Sequence, residues 1–276
     1  MIHTDIYYYM NNNNFKLTNM AIYLKKFENH TQYENYINGS DAILPNVSIC
    51  ITEGDVHYNP IDPCASEKVK TTYEWVEIGG VKWATKNVGA LTVTDYGQFF
   101  QWGDTQGFTA DQVSGNCHSK YFGWADYKYG NGTSSPGATG MTKYNSTDGK
   151  TVLDLSDDAA RANMGGSWRM PTTEEFQALG TATTSAWTTD YQGSGVSGLV
   201  LTDKTDSSKV LFFPAAGYCY NGSVRNVGSY GYYWSSSVYS SGVQYAYFLY
   251  FHSSYVDWQN DYNRYNGFAV RGVLGE

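Results

Sequence analysis

From Gly228 to Arg271 the chain reads GSYGYYWSSSVYSSGVQYAYFLYFHSSYVDWQNDYNRYNGFAVR. Ten of the 26 tyrosines lie between Tyr230 and Tyr265. No lysine follows Lys209, and no glutamate stands between Glu175 and Glu276. Within this stretch YAYFLYFH alternates with a period of two. Tyr247, Leu249 and Phe251 share one face of a strand, and Phe248, Tyr250 and His252 share the other. Helix formers are scarce here, so the segment is committed to β-sheet. One face builds core. The other offers Tyr, Phe and His, which a purely structural sheet does not need. Tyrosine is a stiff, amphipathic contact residue, and Ser, Asn and Gly add adaptable hydrogen bonds, so this is also the composition of a recognition surface.

The rest of the chain narrows the partners. At 276 residues it has room for one large or two modest domains. Net charge is −8 and the basic residues are scattered, which argues against a nucleic-acid backbone. Cys50, Cys64, Cys117 and Cys219 form no CxxC pair, so buried free thiols are expected, with a Cys50–Cys64 disulfide as the weaker alternative. No run is long and apolar enough to span a membrane, and no signal peptide is visible, so no membrane insertion is expected.

Read in order, residues 1–19 are Asn-rich and little structure is expected there; the start is open between Met1 and Met20. Residues 20–62 read as a small attachment module. AIYLKKF is a strand and Thr31–Ile37 a short capped helix. LPNVSICIT is a strand that turns at Gly54-Asp55 into VHYNP. So small a module is marginal alone and is expected to pack on a partner or on another copy. Residues 63–72 read as a linker and 73–276 as the main domain. There Gly79-Gly80 joins a hairpin, and Thr105 to Thr151 is loop-rich. Two short helices follow, one capped by Ser156 and stopped at Gly165-Gly166, the other opened by a Thr172/Glu175 capping box with Phe176 and Leu179 facing the core. Strands complete the domain: GLVLTDK, KVLFFPAAG, YYWSSS, AYFLYF, VDW and FAVRGV. The fold class is therefore α+β with a mostly antiparallel sheet.

At WATKNVGA, YGQFFQWGD, DDAARANMGGSWRMPTTEEF, FFPAAGY, GSYGYYWSSS and GFAVRGV the chain resembles a known family. It is the major paralogous domain family first described in Fibrobacter succinogenes, and the likeness runs from about Tyr73 to Val273. That family is similar in fold to C-type lectins and formylglycine-generating enzymes. Some members resemble variable proteins of diversity-generating retroelements, including tail-fibre receptor binders of Bacteroides phages. The resemblance implies a C-type-lectin-like domain whose residues from about 228 to 271 are rewritten at adenine-derived codons, and an N-terminal module that docks on another tail or surface protein. Tyr239, Tyr245, Phe248, Tyr250, His252, Ser254, Tyr255, Asp257, Asn260, Asp261, Tyr262, Asn263 and Tyr265 are all reachable from such a codon and are the ligand-binding candidates. Tyr245, Tyr250, Tyr255 and Tyr262 are the first-choice anchors. Gln244 and Gln259 depart from the pattern.

Enzyme chemistry finds no support in the residues. A formylglycine-generating oxidase needs paired cysteines, and Cys219 is alone in the C-terminal half. There is no G-x-S-x-G and no HExxH. Lectin-type calcium motifs are absent, and Asp203, Asp206 and Asp257 are too dispersed to predict a metal site. No cofactor, no metal and no catalytic activity are expected. The expected function is binding a bacterial surface receptor, protein or glycan, from a phage virion or an extracellular position, with a homotrimer implied by analogy to tail fibres. The alternatives are an undiversified surface adhesin, a structural tail protein and, least favoured, the oxidase.

Overall fold

The computed structural model describes residues 4–7, 23–26, 49–52, 55–58, 72–115, 120–133 and 137–275. The chain divides into two units, Met1–Ala65 and Ser66–Glu276. In the first, β1 (Thr4–Tyr7) pairs antiparallel with β2 (Tyr23–Lys26), and β3 (Ile49–Thr52) with β4 (Asp55–Tyr58). β1 lies where little structure is expected. Its Thr-Asp-Ile-Tyr content favours a strand, whatever the asparagine run after it does. Asp55 pairs with Thr52 and so opens β4 rather than sitting in the turn. The helix expected at Thr31–Ile37 and residue Cys64 lie outside the described residues, as do 63–71 of the linker.

The second unit opens with a hairpin, β5 (Trp75–Ile78) and β6 (Val81–Ala84). Gly79 and Gly80 both have positive φ, 61° and 78°, as a tight two-residue connection of this hand requires. The chain's C-terminal strand β16 (Val273–Leu274) returns between β6 and β7 (Trp168–Arg169), closing a four-stranded sheet. Of the strand expected over FAVRGV only this end is regular; Phe268 and Ala269 make isolated bridges to Phe100 and Tyr233.

The segment from Thr105 to Thr151 contains a helix the sequence reading did not anticipate, α1 (Ala110–Ser114), held by a Thr109/Gln112 capping box. Two carboxylates gather backbone amides among the described residues of the remainder. Asp126 accepts from the N–H groups of Tyr121, Phe122 and Gly123, and Asp148 from those of Tyr144, Asn145 and Lys150. Far from being only surface, it buries Tyr127, Tyr129, Met141 and Tyr144.

α2 (Ala159–Met164) is capped by Asp158, not Ser156. The Asp158 carboxylate accepts from Arg161 N at 2.9 Å and from Met170 N at 2.7 Å, while Ser156 falls in a 3₁₀ turn. A carboxylate with two amides outcompetes a hydroxyl for this position. Gly165, φ 74°, ends the helix. α3 (Thr173–Ala182) has the expected reciprocal capping box: Thr172 Oγ1 accepts from Glu175 N, and Glu175 accepts from Thr172 N at 2.8 Å. Arg169 clamps the same glutamate through both terminal nitrogens, 2.6 and 2.7 Å. Phe176 and Leu179 are buried as expected.

α3 runs directly into β8 (Thr183–Thr188), a strand not anticipated because TTSAWT shows no clean alternation. β8 pairs with β9 (Gly198–Asp203), which pairs with β10 (Val210–Pro214). A hairpin of β11 (Tyr218–Tyr220) and β12 (Ser223–Arg225) follows over Asn221-Gly222, both at positive φ. Last comes the tyrosine-rich sheet, β13 (Tyr230–Val238), β14 (Tyr245–His252) and β15 (Tyr255–Asn263), in that order. The second unit is thus α+β, with short helices and antiparallel sheets.

Two hydrophobic cores lie on opposite sides of this last sheet. Tyr233, Leu249 and Phe251 enter one with Trp83, Phe176, Leu199, Leu201 and Phe213. Trp234, Ala246 and Phe248 enter the other with Phe100, Trp102, Tyr144, Met170 and Phe268. The second core covers only the β13 C-terminal half and the facing part of β14. The rest of that face is left open.

Candidate functional site

Cross-strand register decides which side chains meet. Tyr230 opposes His252, Tyr232 opposes Tyr250, and Trp234 opposes Phe248. On the other side Tyr250 opposes Asp257, Phe248 opposes Asn260, Ala246 opposes Tyr262, and His252 opposes Tyr255. Directly opposed residues share a face. One face therefore carries Tyr230, Tyr232, Phe248, Tyr250, His252, Tyr255, Asp257, Asn260 and Tyr262. Between Phe248 and Tyr250 the register with β15 slips, a bulge at Trp258–Gln259. The bulge keeps Asp257 and Asn260 on the tyrosine face on either side of it.

The rings form a continuous pavement. Tyr230 stacks beside Tyr250 at 5.9 Å and Tyr232 beside Phe248 at 5.8 Å. Tyr250 contacts Tyr232, His252 and Tyr255 at 5.3, 5.8 and 6.4 Å. Tyr262 meets Phe248 edge-on at 6.3 Å. Such offset and edge-to-face contacts fix each ring before any ligand arrives. Exposure is greatest at Tyr255, 52 %, and Tyr262, 40 %. Burial pushes the Tyr232 hydroxyl up to about 12 and raises those of Tyr250 and Tyr262, so all three are neutral donors at physiological pH.

The thirteen candidates do not form one site. Phe248 is 2 % exposed and packs on Trp234 and Phe268, so it is the floor of the pavement and not a contact residue. Tyr250, His252, Tyr255, Asp257, Asn260 and Tyr262 lie on the open face, with Ser254 in the turn beside His252. Tyr265 sits at the rim, against Trp124 at 4.7 Å and Tyr220 at 6.0 Å. Tyr245, Asp261 and Asn263 fall on the opposite face by register. There Tyr239 packs on Tyr245 and Tyr247, and Tyr247 shares a hydrogen bond with Ser240. Tyr247 shares the Leu249 and Phe251 face but lies past the edge of the core, half-exposed.

Asp257 and Asn260 already have work inside the strand. Asp257 accepts from Gln259 N at 3.0 Å and from Asn260 Nδ2 at 3.0 Å, and Asn260 accepts from Asp261 N at 2.8 Å. These side chains and the bulge blunt the edge strand β15 against strand addition.

Residues outside the nominated set join the pavement. Tyr218 lies 4.8 Å from Tyr232 and 6.5 Å from Tyr262. Tyr220 is two residues on, and between them Cys219 points inward, fully buried, with its thiol pushed up by burial. The signal was in YCYNGSVR: an Asn-Gly turn between alternating residues marks a hairpin. Without the fold nothing said that it lies beside the tyrosine sheet.

Two buried arginines tie this sheet to the body. Arg271 donates to Asn87 Oδ1 and to the carbonyls of Ala84 and Phe212, and stacks on Phe213 at 4.3 Å. Burial without a carboxylate partner lowers it to about 10, still charged at pH 7. Arg264 donates to the carbonyls of Lys143 and Tyr144 and lies over Trp102 at 4.5 Å. Among the described residues no three metal-binding side chains cluster. Asp203 and Asp206 instead accept from Thr205 and Ser208 and shape the loop between β9 and β10. Among the described residues no helix is long and apolar enough to cross a membrane.

A model of a domain family of unknown function, DUF8237, matches residues 200–273. The match runs from Val200, within β9, to the first residue of β16, and so takes in the whole tyrosine sheet and both arginines. No curated protein and no solved structure matches the chain.

Proposed function

We propose that this chain is a ligand-binding protein of C-type-lectin-like type that displays the open face of β13–β15 to a receptor on a bacterial surface, as the tip protein of a phage tail fibre does. The observation that carries the reading is the fixed pavement of Tyr230, Tyr232, Tyr250, His252, Tyr255 and Tyr262, half-open to solvent above a packed Phe248 and Trp234. Rigid aromatic anchors lose little freedom on binding, and surrounding Ser and Asn groups tune specificity. The scaffold positions Leu249, Phe251, Trp234, Arg264 and Arg271 are buried, while most of the adenine-reachable positions are solvent-accessible. That division suits a surface rewritten by a retroelement over an unchanging frame. The N-terminal module serves attachment, and trimeric assembly would add avidity.

Binding is tested by challenging a panel of Bacteroidales cells with the labelled chain. Binding to one strain that the Tyr250→Ala protein has lost, with the melting temperature lowered by no more than about 4 °C, is the expected result; equal binding by both proteins would sink the reading. Diversification is tested separately by sequencing DNA around the gene. A near-copy of the segment encoding 228–271, differing only at adenines and close to a reverse-transcriptase gene, is expected. Its absence leaves an undiversified adhesin.

A further inference from the structure

The pavement ends at an arginine that has nothing to hold. Arg225, on β12, is exposed and lies over the Tyr220 ring at 4.9 Å. Among the described residues its guanidinium makes no ion pair and no hydrogen bond. Three of the other four arginines are engaged: Arg169 clamps Glu175, and Arg264 and Arg271 are occupied by carbonyls and Asn87. Arg161, on α2, is also without a side-chain bond among the described residues, but no aromatic ring lies under it there, so the tyrosine platform is what sets Arg225 apart. In a chain of net charge −8, a free fork of donors on an aromatic platform is conspicuous. The carboxylate of the same face, Asp257, bonds within its own strand, to Gln259 N and Asn260 Nδ2, and makes no ion pair with Arg225.

We propose that Arg225 is a fixed specificity residue of this face and that the ligand is a glycan bearing a carboxylate, a uronic acid being the simplest such sugar. The inference rests on the tyrosine face being the ligand surface. Stacking on Tyr220 holds the guanidinium plane, so a bidentate pair with a carboxylate forms at little entropic cost. Around it Tyr218, Tyr220, Tyr262 and Tyr265 present neighbouring ring faces and hydroxyls. The negative face of a tyrosine ring attracts the polarised C–H groups of a sugar ring, and the phenols hydrogen-bond its hydroxyls. The chemistry is amphipathic ring against amphipathic ring, which favours a sugar over an acidic peptide. Tyr218, Tyr220 and Arg225 precede the segment 228–271. They form a constant half of the surface beside a half that varies, so the carboxylate would be common to all ligands and the rest of the glycan would differ.

The test uses the full chain on a printed panel of uronic-acid-terminated oligosaccharides, their neutral hexose counterparts and polyglutamate. Binding to uronates is expected, at least about tenfold tighter than to the hexoses, weakening as salt rises. Arg225→Gln should lose roughly tenfold or more, and Arg225→Lys should recover part, since it keeps charge but not the fork. Hexose binding equal to uronate binding, binding indifferent to Arg225→Gln, binding to polyglutamate alone, or no uronate bound would each overturn the proposal. Tyr250→Ala separates the two levels. If it abolishes binding while Arg225→Gln does not, the tyrosine face stands and the carboxylate does not; if it changes nothing, the face itself is wrong.

Discussion

Neighbouring residues on β14 have opposite jobs, and single substitutions separate them. Tyr250→Ala removes a half-exposed ring and is expected to cost under about 1 kcal/mol of stability, since most surface changes do. Phe248→Ala, two positions back on the same face, empties a packed site and should cost about 3–5 kcal/mol; Leu249→Ala on the other face should cost about 2–5 kcal/mol. Denaturant titration of the three proteins checks the ranking. A Phe248→Ala protein as stable as Tyr250→Ala would mean the pavement has no floor. Arg271 makes a sharper case. Arg271→Lys retains a charge but gathers its donors on one nitrogen, losing the planar fork that reaches Asn87 and two carbonyls from separate atoms, so it should destabilise by about 1–3 kcal/mol in the same assay.

At the scale of elements, α3 and β15 are matched by one missing methyl. A Cβ on Gly180 would stand 2.5 Å from the Trp258 ring. In an exposed helix Gly→Ala gains about 1 kcal/mol. Here Gly180→Ala is expected to destabilise, by about 1–3 kcal/mol through overpacking, and to shift Trp258 fluorescence. A rise in melting temperature would contradict the contact. Lys128, Lys143 and Tyr144 are pinned differently. Asp157 holds Lys128 Nζ at 3.0 Å, Lys143 Nζ at 2.5 Å and Tyr144 Oη at 2.6 Å. Burial opposes its ionisation, but these hydrogen bonds outweigh burial and hold the carboxyl well below the usual carboxylate range. A depressed folded pKa means stability that is complete above the unfolded value, about 4, and lost as pH falls through the folded one. Asp157→Asn should therefore cost about 1–3 kcal/mol at pH 7 and flatten the acid limb of a stability–pH curve.

For the whole molecule the decisive feature is that two cores share one sheet. β13 and β14 send Tyr233, Leu249 and Phe251 one way and Trp234, Ala246 and Phe248 the other. All eight tryptophans belong to the second unit, with Trp83 in one core and Trp102 and Trp234 in the other. Tryptophan fluorescence is thus expected to report a single denaturation step for residues 66–276, coincident with near-UV circular dichroism. Two resolved steps would show that the cores unfold independently. The same arrangement keeps the display rigid: the open face is the uncovered end of a sheet buried on its other side and at its other end.

Much of this was legible in the chain. Period two in YAYFLYFH, Gly79-Gly80, and Thr172 with Glu175 each act between residues close in sequence, so propensity and local hydrogen bonding settle them. The helix at Thr109 and the hairpin at Asn221-Gly222 carry equally local signals, a Thr109/Gln112 capping box and an Asn-Gly turn. The division of the thirteen candidates was of another kind. Whether Phe248 is floor or contact depends on Phe268 and Trp234 arriving over it. Whether Tyr245 joins Tyr250 depends on strand register, because one residue of slip exchanges the faces. Arg225 belongs to the surface only because the β11–β12 hairpin packs beside β13. By itself the sequence determined that this would be an antiparallel, tyrosine-faced sheet. Which tyrosines stand in the open was decided by long-range packing, since burial is a property of what comes to lie opposite and not of the strand alone.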